Sequence, residues 1–169
     1  MAVIQGKVRK FGDNIDTDSI TTAAVLHLPI NEIAEHAFEA IFPGFYHTVN
    51  QGDIIVAGAN FGCGSSREHA TAVVKELGIH FIVCESMARI YFRNCIALGV
   101  HPILAKGVSE LFNECDPIEI DLYREKVRNV RTGSLCSFRA LSGTPKQILE
   151  DGGILPTLKK VTEKLLNQT

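Results

Sequence analysis

Three short apolar runs constrain the architecture most: Ile54-Ile-Val-Ala57, Phe81-Ile-Val-Cys84 and His101-Pro-Ile-Leu104. Each is only a few residues long and bounded by turn formers, as a strand buried on both faces must be. Between them lie two amphipathic stretches of helical length, about Ser66 to Leu77 closed by Gly78, and Ser86 to about Leu98 closed by Gly99. A β-α-β-α-β order of this kind connects through crossovers and makes that part of the sheet parallel. After Asp116 the texture changes to alternation, over Ile118–Leu122, Lys126–Arg131 and Leu135–Phe138. Alternation of period two describes antiparallel strands with one wet face. Residues 2–9 alternate in the same way and form a first strand. Further helices are expected over Asn31–Ile41, with Asn31 as cap, over Gly143–Asp151, and through Leu155, Leu158, Val161 and Leu165. The chain therefore reads as one α/β domain over residues 1–169, a mixed sheet with a parallel core and an antiparallel C-terminal part.

Composition narrows the function classes. With 46% hydrophobic and 21% charged residues, the chain carries enough apolar surface for a real core. A net charge of -2 and the lack of a long basic run speak against a dedicated nucleic-acid or membrane-surface protein. The N-terminus, Met1-Ala-Val-Ile-Gln-Gly-Lys-Val-Arg-Lys10, is too broken for a signal-peptide core, and no apolar run is long enough to span a bilayer. A cytoplasmic setting is expected. The five cysteines (Cys63, Cys84, Cys95, Cys115, Cys136) are odd in number and widely spaced, unlike a secreted disulfide framework. With no Cys-x-x-Cys pair, a zinc or iron–sulfur site built by this chain alone is not expected.

The chemistry is concentrated in the turn after the first buried run, Gly58-Ala-Asn-Phe-Gly-Cys-Gly-Ser-Ser-Arg-Glu-His-Ala70. Ser65-Ser-Arg-Glu68 fits a capping box, with Ser65 as N-cap and Glu68 folding back. That reading accounts for the helix start but not for Arg67, because a cation in a first helical turn opposes the macrodipole. A bound anion would neutralise it, and a guanidinium grips a carboxylate or phosphate with two hydrogen bonds. No lysine precedes the serines as in a P-loop, and Gly62-Cys-Gly64-Ser-Ser-Arg67 has arginine where a dinucleotide fingerprint needs its third glycine. A small organic acid suits the turn better. There Ser65 could act on a proton, since helix-end N–H groups and Arg67 would stabilise its alkoxide and lower its pKa.

Gly62-Cys-Gly-Ser-Ser-Arg-Glu-His69 resembles the signature of the swivelling domain of the aconitase superfamily. Asp13-Asn-Ile-Asp-Thr-Asp-Ser-Ile20 resembles its second hallmark, and Ser86-Met-Ala-Arg-Ile-Tyr-Phe-Arg-Asn94 a third. Their order and spacing are similar to those of the separate small subunits of isopropylmalate isomerases and their relatives, over essentially the whole chain. The resemblance implies a swivelling β/β/α three-layer domain and a hydro-lyase that dehydrates and rehydrates a hydroxy-dicarboxylate. It implies a 4Fe-4S cluster carried by a large-subunit partner, not by this chain, and no activity without that partner. By the matching motif Ser65 would be the general base, Ser66 and Arg67 would hold substrate carboxylate oxygens, and Asp18 would orient groups at the rim. His69 would be structural or sit behind the residues that touch substrate.

Substrate choice in the family lies after the second hallmark, often in a Tyr-Leu-x-x motif. Here Val25-Leu26-His27-Leu28 occupies that place, with Val25 for tyrosine and His27 at the discriminating position. A neutral His27 between leucines tolerates a branched alkyl group, and a protonated one accepts an acid. A branched-chain malate is expected, foremost 3-isopropylmalate and 2-isopropylmalate in leucine biosynthesis. A 2,3-dimethylmalate dehydratase, a homoaconitase-type enzyme and a non-catalytic carboxylate-binding module are the alternatives. Cys63 reads as a packing residue, and Asp13, Asp16 and Asp18 lack the further positions of a calcium loop.

Overall fold

The computed structural model describes residues 3–167. In chain order they form β1 (Val3–Lys10), α1 (Thr17–Ile20), a 3-10 turn (Ala23–Val25), α2 (Ile30–Glu35), α3 (Phe45–Thr48), β2 (Ile54–Ala57), α4 (Glu68–Glu76), β3 (Phe81–Cys84), α5 (Arg89–Leu98), β4 (His101–Leu104), α6 (Val108–Leu111), β5 (Pro117–Asp121), β6 (Lys126–Asn129), β7 (Leu135–Ser137), α7 (Gly143–Glu150) and α8 (Ile154–Leu166). The strands make one seven-stranded sheet in the order β4-β3-β2-β1-β5-β6-β7. Strands β1 to β4 are parallel, and β1-β5-β6-β7 are antiparallel neighbours.

Alternation along the buried strands separates two cores. Ile55, Ala57, Ile82 and Cys84 face the helices and pack with Phe11, Phe38, Phe45, Phe61, Val73, Val74 and Tyr91. Ile54, Val56, Val83 and Ile103 face the other way and pack with Ile118, Ile120, Val127 and Phe138 of the antiparallel half. The sheet therefore curls over itself, and two β layers lie under one layer of helices.

Three helix expectations are corrected. The helix expected over 31–41 is only six residues long, capped by Pro29 rather than Asn31. Phe38 leaves the helical region with φ of 58°, and its N–H donates to the Ile20 carbonyl. That conformation seats its ring between Phe11 and Phe45, at centroid distances of 4.5 and 4.8 Å. A buried aromatic contact outweighs continued helix here. Residues 86–88 are extended rather than helical, because Met87 bridges Phe61 in parallel. Helix α4 begins at Glu68, not Ser66, with Arg67 as its N-cap residue. The last helix forms as its period requires, but Leu155, Leu158, Val161 and Leu165 all face solvent.

One charged side chain belongs to the frame. Arg9 is buried, with its Nε 2.8 Å from Glu114 Oε1 and its Nη1 3.5 Å from the buried carboxylate of Asp53. Its Nη2 donates to Thr48 Oγ1 at 2.9 Å, and its guanidinium lies 4.7 Å from the Phe45 ring centre and 5.1 Å from that of Phe42. Arg9 thus ties β1 to α3, to the entry of β2 and to the approach to β5.

Candidate active site

Loops leaving the carboxyl ends of β1, β2 and β3 meet beside one another, where parallel sheets generally place their ligands. The first two loops are laced by backbone: Gly58 N–H donates to Gly12 O (3.1 Å), Asn14 N–H to Ala59 O (2.8 Å), Gly62 N–H to Ile15 O (2.7 Å) and Thr17 N–H to Cys63 O (2.9 Å). The third is stitched on through Phe61 N–H to Ser86 O (3.0 Å) and Ala88 N–H to Phe61 O (2.9 Å). All three segments singled out in the sequence are thereby held in one place.

Two glycines make this approach possible. Gly62 has φ of 73°, and a Cβ there would overlap Cβ, Cγ and Cδ1 of Tyr91, whose ring is buried against Phe61. Gly64 has φ of 93°, and a Cβ there would lie 3.3 Å from Thr17 Oγ1. Gly62→Ala combines left-handed strain with overpacking and is expected to destabilise the fold by about 2–4 kcal/mol. Urea unfolding followed by circular dichroism measures it, and a loss below 1 kcal/mol would contradict this account.

Ser65 does not cap α4. Its Oγ lies 3.0 Å from Thr17 Oγ1, and its N–H donates to the same oxygen at 3.2 Å. The capping-box reading is therefore corrected: Arg67 stands at the N-cap without a side-chain capping bond, and Ser65 is turned toward the loop after β1. The Arg67 guanidinium is paired with the Asp18 carboxylate. Asp18 supplies within the chain the anion that a cation at a helix start calls for. Nearby Asp16 serves the backbone instead: its Oδ1 accepts from Ser19 N–H and caps α1.

Ser65 and Ser66 are both exposed, Arg67 is half-buried, and His69 is exposed on the first turn of α4. The structure pairs Thr17 with Ser65 and Asp18 with Arg67, with Ser66 between Ser65 and Arg67 along the turn. The sequence does not single out Thr17. An N-cap at Asp16 puts Thr17 at the first helical position, but nothing local shows that its oxygen meets Ser65.

Val25 ends the 3-10 turn, and Leu26 to Leu28 form the bend after it. Val25 and Leu28 pack against the helix-side core, Leu26 is half-buried and His27 is exposed. Their backbone bonds are local, Val25 N–H to Thr22 O and Leu28 N–H to Val25 O. Among the described residues no hydrogen bond links this segment to Ser65, Ser66 or Arg67, and it joins the site through α1.

The donor set for a metal centre differs from what a cluster needs. Among the described residues no three His, Cys, Asp or Glu side chains converge on one point. Cys84 and Cys95 are buried, and burial pushes the Cys84 thiol up to about 12 and the Cys95 thiol higher still, against the thiolate that binds iron. The described residues gather no set of thiols that would hold a cluster.

Residues 3–107, which carry β1 to β4 and all three loops, match the family model of the aconitase C-terminal domain. The chain is 44% identical over 160 residues to the isopropylmalate/citramalate isomerase small subunit of Methanocaldococcus jannaschii, covering 94% of this chain and 95% of that one. It is 44% identical over 160 residues to the 3-isopropylmalate dehydratase small subunit 1 of Thermotoga maritima, covering 94% and 96%. Its fold superposes on the crystal structure of a 3-isopropylmalate dehydratase from Methanocaldococcus jannaschii with a TM-score of 0.94 and 36% identity, over 99% of this chain and 100% of that one.

Proposed function

Since the chain belongs to the aconitase C-terminal domain family, among the small subunits of 3-isopropylmalate dehydratase, we propose that it supplies the proton-handling and carboxylate-binding half of an isopropylmalate-converting hydro-lyase. The observation that carries this reading is the Ser65 hydroxyl, free of any capping role and held by Thr17 two residues before Arg67 at the start of α4.

Ser65 removes the proton alpha to a substrate carboxylate and returns it on rehydration. Arg67 and Ser66 hold that carboxylate, and the unsatisfied N–H groups of the first turn of α4 add to the field. Asp18 keeps Arg67 extended toward the turn before substrate enters. Because Ser65 and Ser66 are exposed, the chain presents an open half-site, and water-poor chemistry requires a second surface to close it. The large subunit supplies that surface. Family membership marks an iron–sulfur enzyme, and the cluster is assigned to the large subunit because this chain's thiols are scattered, with Cys84 and Cys95 buried. Five free thiols support a cytoplasmic setting.

The substrate assignment is 3-isopropylmalate, interconverted with 2-isopropylmalate, the reaction of leucine biosynthesis. His27, exposed between half-buried Leu26 and Leu28, leaves no fixed cation for a third carboxylate. The test is reconstitution with a cluster-bearing large subunit and a panel of branched-chain and tricarboxylic hydroxy acids. Isopropylmalate should turn over only in the pair, and His27→Arg should lower its kcat/KM about 10-fold or more relative to homocitrate-type acids. Turnover by the isolated chain, or no activity of the pair on any branched-alkyl malate, would overturn the assignment.

A further inference from the structure

We infer that Thr17 is the positioning residue that holds Ser65 ready as a base, its hydroxyl donating to Ser65 Oγ when that oxygen carries charge. The inference rests on the assignment of Ser65 as the base and names the group that makes a weak base usable.

The geometry limits what the Thr17 hydroxyl can do. Thr17 is 1% exposed, so its hydroxyl has little access to water. Its oxygen already accepts from the Ser65 N–H at 3.2 Å, and Ser65 Oγ lies 3.0 Å away. Helical threonines usually donate to a carbonyl one turn back. Thr48 donates to Phe45 O, Thr157 to Gly153 O and Thr162 to Leu158 O. Thr17 opens α1 and has no helical turn behind it. Its proton is thus left for Ser65.

The same oxygen therefore fixes Ser65 twice, accepting from its backbone and donating to its side chain. Thr17 is itself anchored by its N–H on the Cys63 carbonyl, by the Thr21 N–H on its own carbonyl, and by the Asp16 cap. Gly64 lets the turn pass close to it without a side chain between. A neutral Ser65 exchanges the direction of this bond freely. An alkoxide can only accept, and Thr17 is then its donor. Before reaction the Ser65 proton passes to water. In the reaction the substrate C–H bond breaks, its electron pair stays on carbon, an O–H bond forms at Ser65, and Thr17 keeps its own proton throughout. A buried donor aimed at a developing oxyanion is worth about 100-fold or more in rate.

The experiment uses the reconstituted pair with isopropylmalate. Thr17→Val and Thr17→Ala both remove the hydroxyl and differ in size, whereas Thr17→Ser keeps it. Both hydroxyl-free variants should lose about 100-fold in kcat with KM little changed, and the ascending limb of kcat/KM should move to higher pH by about one unit or more. Thr17→Ser should retain both rate and limb. If Ser65→Ala is inactive while Thr17→Val or Thr17→Ala keeps an unmoved pH profile, the inference fails and the base assignment stands. If Ser65→Ala keeps its activity, the base assignment itself fails. A loss in all three threonine variants with an unmoved limb assigns Thr17 a structural role and overturns the proposal.

Discussion

Ser65→Ala in the reconstituted enzyme is expected to lose about 10²- to 10⁴-fold in kcat, the usual contribution of a positioned acid or base. KM should change little, because Ser66 and Arg67, the proposed carboxylate contacts, remain in place. Stability separates this account from the capping reading. A true N-cap serine costs about 1 kcal/mol when replaced by alanine. Here the side chain caps nothing, and the residue 65 N–H still reaches Thr17 Oγ1 after the change. Ser65 is exposed, so water takes the place of its hydroxyl beside Thr17; unfolding free energy should therefore stay within about 0.5 kcal/mol of wild type, and capture of the large subunit should be unaffected. Full activity of the variant would sink the mechanism. A loss of activity accompanied by loss of helix stability would return Ser65 to the role of a cap.

Arg9→Met should cost about 3–5 kcal/mol of folding stability, because it strands the buried Asp53 carboxylate and the nearby Glu114. Against a total of about 5–15 kcal/mol for a domain, that brings the chain close to its unfolding threshold. The loss combines an uncompensated charge with the departure of a cation from two aromatic faces. Neutralising the partners tests the division: Arg9→Met with Asp53→Asn and Glu114→Gln should recover part of the loss. Urea unfolding by circular dichroism reads both, and a single-variant cost under 1 kcal/mol would show that Arg9 is not a keystone of the frame.

The buried strands were legible because a strand covered on both faces leaves a run with sharp ends. Ile54–Ala57, Phe81–Cys84 and His101–Leu104 have in the structure the bounds read from the residues. The alternating strands end a residue or two earlier, and β6 does so where Asn129 turns the chain back through bonds to Ser134 and Gly133. The helix over 31–41 was not legible past Glu35, because its period is satisfied equally by a bend that buries Phe38. In the site, Arg67 stands out as costly for a plain helix start, whereas Ser65 fits one as a cap and is marked only by its place beside that cation in the sequence. The family resemblance expects Asp18 at the rim of the site, but its pairing with Arg67 depends on how two loops dock, and no local pattern carries that. Thr17 was silent for the same reason: a threonine becomes informative only when the neighbour of its oxygen is known. The identity of residue 27 could be read, whereas its exposure follows from how Val25 and Leu28 anchor the turn around it.

The ladder between β1, β2 and β3 also acts as a ruler for the chemistry. Lys10 sits opposite Val56 and Ala57 opposite Cys84, so the three loops leave the sheet at a common height. A slip of one residue along a strand displaces its loop by about 3.3 Å, as far as the whole Thr17–Ser65 hydrogen bond spans. A substitution deep in the sheet, remote from every reacting atom, would therefore register as a change in rate before it registered as a change in fold.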